Sequence, residues 1–441
     1  MKKFTQILFI FLFATGYSFA QQEKGIFSEE NWLDNWTDFA PNQNDYGEPT
    51  KILTGSITED TKLVKREVYL LLGHVFVTNN ATLTIEPGTV ILGDSETKGS
   101  LTISRGSSIM AVGTETDPII FSSNRSFKRP GDWGGLIVLG DAPINRHGSS
   151  SASLFFKKMS ANAYVNTNYG GDNANSSSGS ILFTRIEYAG NRVSEDTYFS
   201  GLLLASVGKE TKLSRIMISH SAGNGIEVWG GDLKLKKAVS YNSHGTDFKF
   251  NFGTRSTIIN SLAVRSPYAS RGEGAVCLDV KSYNKKEDFD FSKNETSVKA
   301  QNLTFLNTSK NLKSDIKMDL IKEAVYVGSN TTLDMSNSVL SGFNPAVILD
   351  ETIQLNQQNL EKINLTAMLF NNCNGNIFLD YNSNNEDLEN WYGNTAFFNV
   401  YSKSDNYETF IDFDNSKRPD FRLRINKIIA SNEVDPDLRT D

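Results

Sequence analysis

The chain is short of cysteine, histidine and long hydrophobic runs. Its 441 residues include two cysteines, Cys277 and Cys373, and four histidines. Two cysteines are too few for a disulfide framework, and their positions leave open whether they pair. The net charge of −7 argues against binding nucleic acid or an anionic membrane through bulk electrostatics. The sequence has no GxSxG, Walker, HExxH or paired CxxC motif, so the common nucleotide-binding, serine-hydrolase and zinc-protease signatures are excluded.

One hydrophobic run opens the chain. Residues 1–20 combine two lysines, an apolar stretch, and the small residues Ser18 and Ala20 before Gln21. This is the pattern of a secretory signal peptide cleaved after Ala20, because the run is shorter than the roughly 20 apolar residues of a membrane span. No other stretch is apolar enough to cross a bilayer as a helix. We therefore expect an exported protein without a transmembrane span, in the periplasm or at the outer membrane and cell surface.

The most informative stretch is a repeat within residues 213–253. It reads LSRIMISHSAGNGIEVWGG and then LKLKKAVSYNSHGTDFKFNFG, and each copy places alternating apolar and polar residues on both sides of a turn rich in Ser, Asn, His and Gly. A period of about 20 residues with strands and no helical pattern is typical of solenoids. The repeat predicts an all-β protein, a single-stranded parallel β-helix in which each copy forms one coil.

Similar segments recur through most of the chain and set the predicted boundaries. Trp32, Trp36 and Phe39 precede the coils, and we expect them to cover the open end of the first coil. A long segment rich in Ser, Asn and Gly is expected to be a partly mobile loop. The predicted parts are a signal peptide at 1–20, an N-terminal cap at 21–60, the β-helix at 61–385 with the loop at about 145–180, and a C-terminal cap and tail at 386–441.

Several motifs resemble a known family. ATLTIEPGTVI at 81–91, GDWGGLIVLGDAPIN at 131–145, and YGGD followed by SGSILFTRIEYAG are similar to exported right-handed parallel β-helix (pectin-lyase-like) proteins of Bacteroidota, most of them uncharacterised. The likeness covers roughly residues 30–280. Members tend to carry aspartate runs where this chain has 223–227 and 244–248, so the calcium site that such runs support is not implied here. The resemblance implies a right-handed β-helix and says almost nothing about activity.

Strand alternation predicts which side chains of three neighbouring coils point outward. Ile226, Val228, Phe248, Phe250, Val276 and Leu278 are expected to point inward. The outward strip then consists of Glu227, Trp229, Asp247, Lys249, Asn251, Cys277, Asp279 and Lys281. His220 and His244 occupy the turns before the strip, within one coil spacing of each other. Two imidazoles without a third ligand are weak support for a metal site, and none is predicted.

The strip is compatible with more than one function, because outward residues of any solenoid are often charged simply because they are exposed to solvent. The leading hypothesis is a non-catalytic cell-envelope protein without a cofactor. It would present a coil face and the loop to an outer-membrane protein or a glycan, and not to nucleic acid. Its expected ligand contacts are Glu227, Trp229, Asp247, Lys249, His220 and His244.

An enzyme is the alternative hypothesis. A polysaccharide lyase or glycoside hydrolase acting on anionic glycans needs carboxylates and a basic group along one strip. Only a lyase would add a cofactor, Ca²⁺ held by the acidic side chains. The residues that would carry this chemistry are Glu227, Asp247, Asp279, Lys249 and Lys281.

Overall fold

The structure is a computed structural model that describes residues 24–424 apart from 29, 149, 157–158, 160, 271–274 and 380–385. The predicted signal peptide at 1–20 and the last residues, 425–441, lie outside the described residues. Within the described ranges, no helix is both long and apolar enough to cross a membrane. The predicted parallel β-helix is confirmed, because the coil strands pair in parallel with the corresponding strands of the coils before and after them.

Each coil contributes to three long parallel sheets. The first sheet contains Lys51–Ile57, Val68–Val77, Val90–Gly93, Ile119–Ser123, Gly179–Glu187, Lys212–Ser219, Val239–Tyr241, Leu262–Arg265, Thr304–Asn307, Val339–Ser341, Leu369–Asn371 and Val400–Ser402. The second sheet continues from the end of Val68–Val77 through Ser100–Ile103, Leu136–Leu139, Leu202–Ala205, Ile226–Trp229, Phe248–Asn251, Leu278–Val280, Val325–Val327, Val347–Leu349 and Ile377–Leu379.

The third sheet completes each coil. It contains Thr61–Leu63, Thr82–Ile85, Ser108–Val112, the first halves of Gly179–Glu187 and Lys212–Ser219, Asp232–Lys236, Arg255–Ile259, Thr296–Gln301, Thr331–Ser336 and Ile363–Thr366.

Short helices and two small antiparallel ladders lie outside the three sheets. The helices are Pro41–Gln43, Ser153–Phe155, Ala161–Thr167, Lys286–Asp288, Leu312–Lys317, Gln357–Leu360, Glu386–Tyr392, Thr395–Phe397 and Asn406–Thr409. The ladders pair Ser150–Ser151 with Asn168–Tyr169, and Phe410–Asp412 with Asp420–Leu423.

The interior of the solenoid is a continuous apolar core. Phe248 and Phe305 stack inside it with ring centres 6.2 Å apart. The chain turns from the third sheet to the first on single residues in the left-handed region, such as Lys237 with φ of 51° and Asn260 with φ of 50°. Asparagine tolerates this conformation better than most residues, and the same corner is Asn302 one coil later. One-residue corners keep successive coils in register.

The N-terminal segment follows a different course from the predicted end cap. Residues 24–48 lie along the outside of the first sheet, where Gly25 donates to the Asn337 carbonyl and Tyr46 contacts Glu187. In the C-terminal segment, Leu388 and Tyr392 pack into the interior core. Phe421 instead shares the outer face of the first sheet, where it packs against Phe39 with ring centres 5.7 Å apart. The terminal segments pack on the first sheet because its outer face is apolar as well. Its outward residues include Met217, Val239, Leu262, Val339 and Leu369.

Candidate functional site

The second sheet brings part of the predicted strip together. Glu227, Lys249 and Asp279 are direct neighbours on three successive strands, as alternation predicted. Lys249 Nζ lies 3.7 Å from Glu227, and Lys281 Nζ lies 3.4 Å from Asp279. The charges of the strip therefore alternate and compensate one another. Lys281 also lies 4.3 Å from the centre of the Tyr326 ring, which places it against the next coil.

Glu227 is a buried, fully engaged carboxylate. Its side chain accepts hydrogen bonds from Ser200 Oγ at 2.6 Å, Asn224 Nδ2 at 2.9 Å and Trp229 Nε1 at 2.8 Å. Burial by itself raises the pKa of Glu227, but Lys249 and the three donors outweigh burial and leave the pKa below its usual range. Glu227 therefore remains an anion that holds the chain around it in place.

The expected outward position of Asp247 is wrong. Its side chain is fully buried, where Arg265 Nη1 donates to it at 2.8 Å and Ser240 Oγ at 2.5 Å. Arg265 also donates to the Gly245 carbonyl. Asp247 precedes the strand Phe248–Asn251, so it lies in the turn between the first and second sheets and outside the alternating part of the coil. Sequence reasoning missed Arg265, whose only signal is its position at the end of an apolar strand.

Both cysteines are buried, unpaired thiols. Cys277 belongs to the interior core cluster, so the expectation that it points outward is also wrong. Burial, followed by the neighbouring Asp247 carboxylate, raises the pKa of the Cys277 thiol well above its usual value. Burial likewise raises the pKa of Cys373, to about 11. These thiols pack as small apolar groups.

The two turn histidines are neighbours, as their repeated position predicted. The His244 amide donates to the Ser221 carbonyl, one residue after His220. His220 stacks on Tyr188 with ring centres 5.2 Å apart and meets the edge of Tyr241 at 5.6 Å. Burial and the nearby His244 lower the pKa of His220 to about 4, so the imidazole is neutral at pH 7. Among the described residues, no group of three or more His, Cys, Asp or Glu side chains is arranged to hold a metal ion.

Trp229 is the anchor of the long loop and is only 7% exposed. The ring of Phe155 stacks on it at 5.7 Å, Tyr169 tilts against it at 5.8 Å, and Phe252 meets it edge-on at 5.8 Å. The loop therefore lies back over the outer face of the second sheet and forms a second apolar core with it. The coil face that was expected to meet a ligand is covered at this point.

The folded loop creates a polar cleft that the sequence did not reveal. The cleft has a volume of about 490 Å³ and lies between the loop, the corner at Gly253 and the turn at 292–294. Glycines bring the two walls close: an added Cβ at Gly253 would meet Asn145 at 2.7 Å, and one at Gly171 would overlap Asp141. A side chain at either position would clash with these neighbours, so the close approach of the two walls requires glycine.

Three polar groups in the cleft wall are buried without a hydrogen-bond partner in the described part of the chain. They are Asn145 Oδ1, Ser150 Oγ and the Tyr169 hydroxyl, from residues that are 1%, 5% and 3% exposed. Tyr169 and Ser150 lie near each other and near Arg146, but neither hydroxyl makes a bond of normal length and angle. Buried polar atoms in native proteins nearly always have partners, so these groups are candidates for contact with a ligand or an ordered water.

The rim of the cleft carries charges of both signs. Arg105 and Lys293 line it as cations, and Asp172 lines it as an exposed anion. Arg105 Nη1 donates to the Gly170 carbonyl at 2.8 Å, which holds the guanidinium at the loop. Phe291, next to the lining residue Ser292, is 61% exposed. The only sequence signal for these residues was the length of the loop, because Ser, Asn and Gly carry no periodic pattern.

Comparison with known proteins agrees with the fold. The family model "Pectate-lyase like beta helix domain" matches residues 55–408, and no curated protein matches the chain. Among solved structures, a tailspike protein of the Acinetobacter baumannii bacteriophage Fri1, a capsular polysaccharide depolymerase, is 11% identical. That match covers 87% of this chain and 67% of the tailspike with a TM-score of 0.23, which is too low to indicate an activity. Because the family model spans well over half of the chain, the protein belongs to the pectate-lyase-like β-helix family.

Proposed function

We propose that the protein is a non-catalytic glycan-binding protein of the cell envelope and that it holds a sugar in the loop cleft. The observation that carries this proposal is the group of unpartnered polar atoms on Asn145, Ser150 and Tyr169 in the cleft wall. A buried polar atom without a partner costs folding free energy, so such a group is tolerated where a ligand or ordered water completes it.

A sugar matches the cleft better than an apolar ligand does. A carbohydrate carries hydroxyl groups on its edges, which can donate to Asn145 Oδ1 and both donate to and accept from the two protein hydroxyls. Arg105 and Lys293 add cations at the rim. Asp141 and Asp290 lie 3.6 and 3.8 Å from them, so a carboxylate or sulfate on the sugar would compete with these partners.

The state of the second-sheet strip supports binding over catalysis. Glu227 and Asp279 lie two strands apart, roughly 9.6 Å, near the upper end of the separation found in inverting glycoside hydrolases. However, the two residues are only 6% and 4% exposed, and Lys249 lies between them. One oxygen of Asp279 has no hydrogen-bond partner among the described residues, and this atom is what favours the alternative enzyme.

Export, envelope location and an outer-membrane protein partner also belong to this proposal. Their support is the pattern of residues 1–20 and the family resemblance of the coil motifs. The partner can be sought by mild-detergent pull-down from the native envelope with mass spectrometry of the co-purified proteins. A stoichiometric outer-membrane protein supports an accessory subunit, whereas a protein that emerges alone contradicts the partner.

The glycan site is tested by binding to a panel of purified neutral and anionic polysaccharides. The main variant is Tyr169→Phe, which removes one hydroxyl and keeps the ring on Trp229. Its matched control is Tyr164→Phe on the same loop, whose side chain is exposed. We expect Tyr169→Phe to weaken binding by roughly 3- to 10-fold, the worth of one hydrogen bond, and the control to change nothing.

The same panel separates the two functions. Failure to bind any polysaccharide, or equal affinity of Tyr169→Phe and the unmodified protein, would contradict the cleft site. Release of new reducing ends or unsaturated sugars would favour the enzyme. In that case Glu227→Gln and Asp279→Asn should abolish turnover.

A further inference from the structure

In the described part of the chain, the third sheet is the face that neither the N-terminal segment nor the long loop covers. Along Asp232–Lys236, Leu233 and Leu235 are buried while Lys234 and Lys236 are exposed, and the alternation continues on later strands. The described residues of the N-terminal segment pack on the first sheet, and those of the long loop pack on the second. The third sheet therefore presents three rows of outward side chains to its surroundings. One row carries Asp232 beside Arg255, and the other two carry the lysines.

Cations are concentrated in the middle of these rows. Lys234 lies beside Thr257 on the next strand, which in turn lies beside Lys299. Ser214 lies beside Lys236, so the parallel register sets Lys212 beside Lys234. Neighbouring strands are about 4.8 Å apart, so Lys212 and Lys234 lie one strand apart along the solenoid axis and Lys299 lies two strands further on.

The lysines of the strand pair are not neutralised. Among the described residues, Lys212, Lys234 and Lys236 form no ion pair with a carboxylate, whereas Lys299 lies 3.9 Å from Asp334. Two more cations, Arg215 and Lys237, occupy the adjoining corners. Burial and then the neighbouring Arg215 lower the pKa of Lys237, with Glu115 as a weaker opposing charge.

The basic row contrasts with the net charge of the chain, which is −7. Five cations on neighbouring strands repel one another unless a polyanion neutralises them. The remaining outward residues of the lysine rows are mostly hydroxyls and amides, together with one apolar residue and one carboxylate. They are Ser180, Ser214, Thr257, Gln301, Ser336, Asn364 and Thr366, with Ile259 and Asp334. These groups suit the hydroxyls of a sugar chain.

Other polyanions fit the described face less well. The rows from Lys212 to Thr366 contain no outward aromatic side chain that could stack on a nucleobase or insert into a bilayer. The row is also narrow and straight, which suits a single extended polymer.

We propose that the third sheet binds an anionic polysaccharide that runs along the solenoid axis, with its sulfate or carboxylate groups on Lys212, Lys234 and Lys236. This is a second site on a different face from the cleft, and it does not depend on the cleft. The axis of the polymer crosses the strands, so one chain contacts several coils at once. Binding is electrostatic and weakens as salt rises, because counterions screen exposed charges.

The test uses the full chain and two defined anionic probes, dextran sulfate and alginate, with uncharged dextran as the ligand control. The variant combines Lys212→Gln, Lys234→Gln and Lys236→Gln, whose side chains point to solvent. The matched control removes the same charge from an exposed helical region by combining Lys310→Gln, Lys313→Gln and Lys317→Gln. Affinities are measured by biolayer interferometry at low and high salt, and melting curves verify that both variants fold.

We expect the unmodified protein to bind at least one anionic probe and not dextran, and the row variant to bind it roughly 10-fold more weakly. The helix control should change affinity less than twofold, and the probe that binds better distinguishes sulfate from carboxylate. Equal losses in both triple variants, or no binding to either probe, overturn the proposal. Tighter binding to duplex DNA or to anionic vesicles overturns it as well. The row variant keeps the cleft and Tyr169→Phe keeps the three lysines. A probe whose affinity falls only in the row variant is bound at this face, and a probe whose affinity falls only in Tyr169→Phe is bound in the cleft, so failure at the two sites is distinguishable.

Discussion

Replacing Asp247 by Asn tests whether this residue is structural. In the native protein Arg265 Nη1 lies 2.8 Å from the carboxylate, and the two side chains are 6% and 0% exposed. Asn keeps the size and the hydrogen bond to Ser240 but leaves the guanidinium buried without its counter-charge. Breaking a buried ion pair in this way costs about 3–5 kcal/mol, because the remaining charge stays desolvated. We therefore expect a loss of this size in the free energy of unfolding.

The measurement is urea denaturation followed by tryptophan fluorescence, with hydrogen exchange of residues 240–270 as a local probe. A matched control is Asp334→Asn, which removes a carboxylate from the exposed pair with Lys299 and should cost less than about 1 kcal/mol. The double variant Asp247→Leu, Arg265→Met removes both charges, and its stability should return close to that of the unmodified protein.

Two outcomes would refute the structural role. One is a stability of Asp247→Asn equal to that of the control variant. The other is a double variant no more stable than Asp247→Asn, since the cost would then not come from the unpaired guanidinium. If Asp247→Asn is stable and yet abolishes turnover of an anionic glycan, Asp247 belongs to a catalytic site, as the enzyme hypothesis predicted.

Further predictions concern the loop, the turn histidine and the N-terminal segment. Phe155→Ala removes the ring stacked on Trp229 and should release the loop at a local cost of about 3–5 kcal/mol, seen as faster limited proteolysis within 145–171 while the melting point of the coils is unchanged. The folded pKa of His220, about 4, lies below its unfolded value of 6.5. The stability that the neutral imidazole contributes is therefore complete above pH 6.5 and is lost towards pH 4. The free energy of unfolding at pH 5 should be roughly 1–2 kcal/mol lower than at pH 7. This pH dependence should be smaller in His220→Phe. Trp36→Ala should destabilise the protein by about 3–5 kcal/mol, measured by urea denaturation, because the Trp36 side chain is fully buried on the first sheet.

The fold was predictable because period-two alternation survives in many strands, such as Asp232–Lys236 and Thr331–Ser336. Glu227, Lys249 and Asp279 line up across three strands as the sequence implied, since a parallel register is fixed by the apolar residues on either side. The same rule predicts the exposed lysines of the third sheet. Alternation works there because one face of the sheet is buried and the other is wet.

The covering segments were not predictable from the same rule. Met217 and Val239 are outward residues of the first sheet, but in the sequence they merge with inward neighbours into short apolar runs. Such runs indicate a strand buried on both faces without saying what buries it. In the loop, Phe155 and Phe156 were the signal for packing, two large apolar residues within a polar segment. A polar composition suggested a mobile excursion, while the energy of the loop is dominated by its few aromatic rings.

The misplaced residues, Asp247 and Cys277, share one physical cause. Each comes immediately before a strand of the second sheet, Phe248–Asn251 or Leu278–Val280, where the chain is still turning out of the first sheet. Alternation holds only where the backbone is extended, so extrapolating it one residue into a turn can reverse the side of a residue. In a turn between two sheets of a solenoid, a polar side chain that points inward can also form hydrogen bonds with carbonyl and hydroxyl groups of adjacent coils. Arg265 does so by joining Asp247 to the carbonyls of Gly245 and Val276. In a β-helix, a charged residue one position before a strand is therefore better interpreted as an interior contact that joins adjacent coils than as a residue of the outward face.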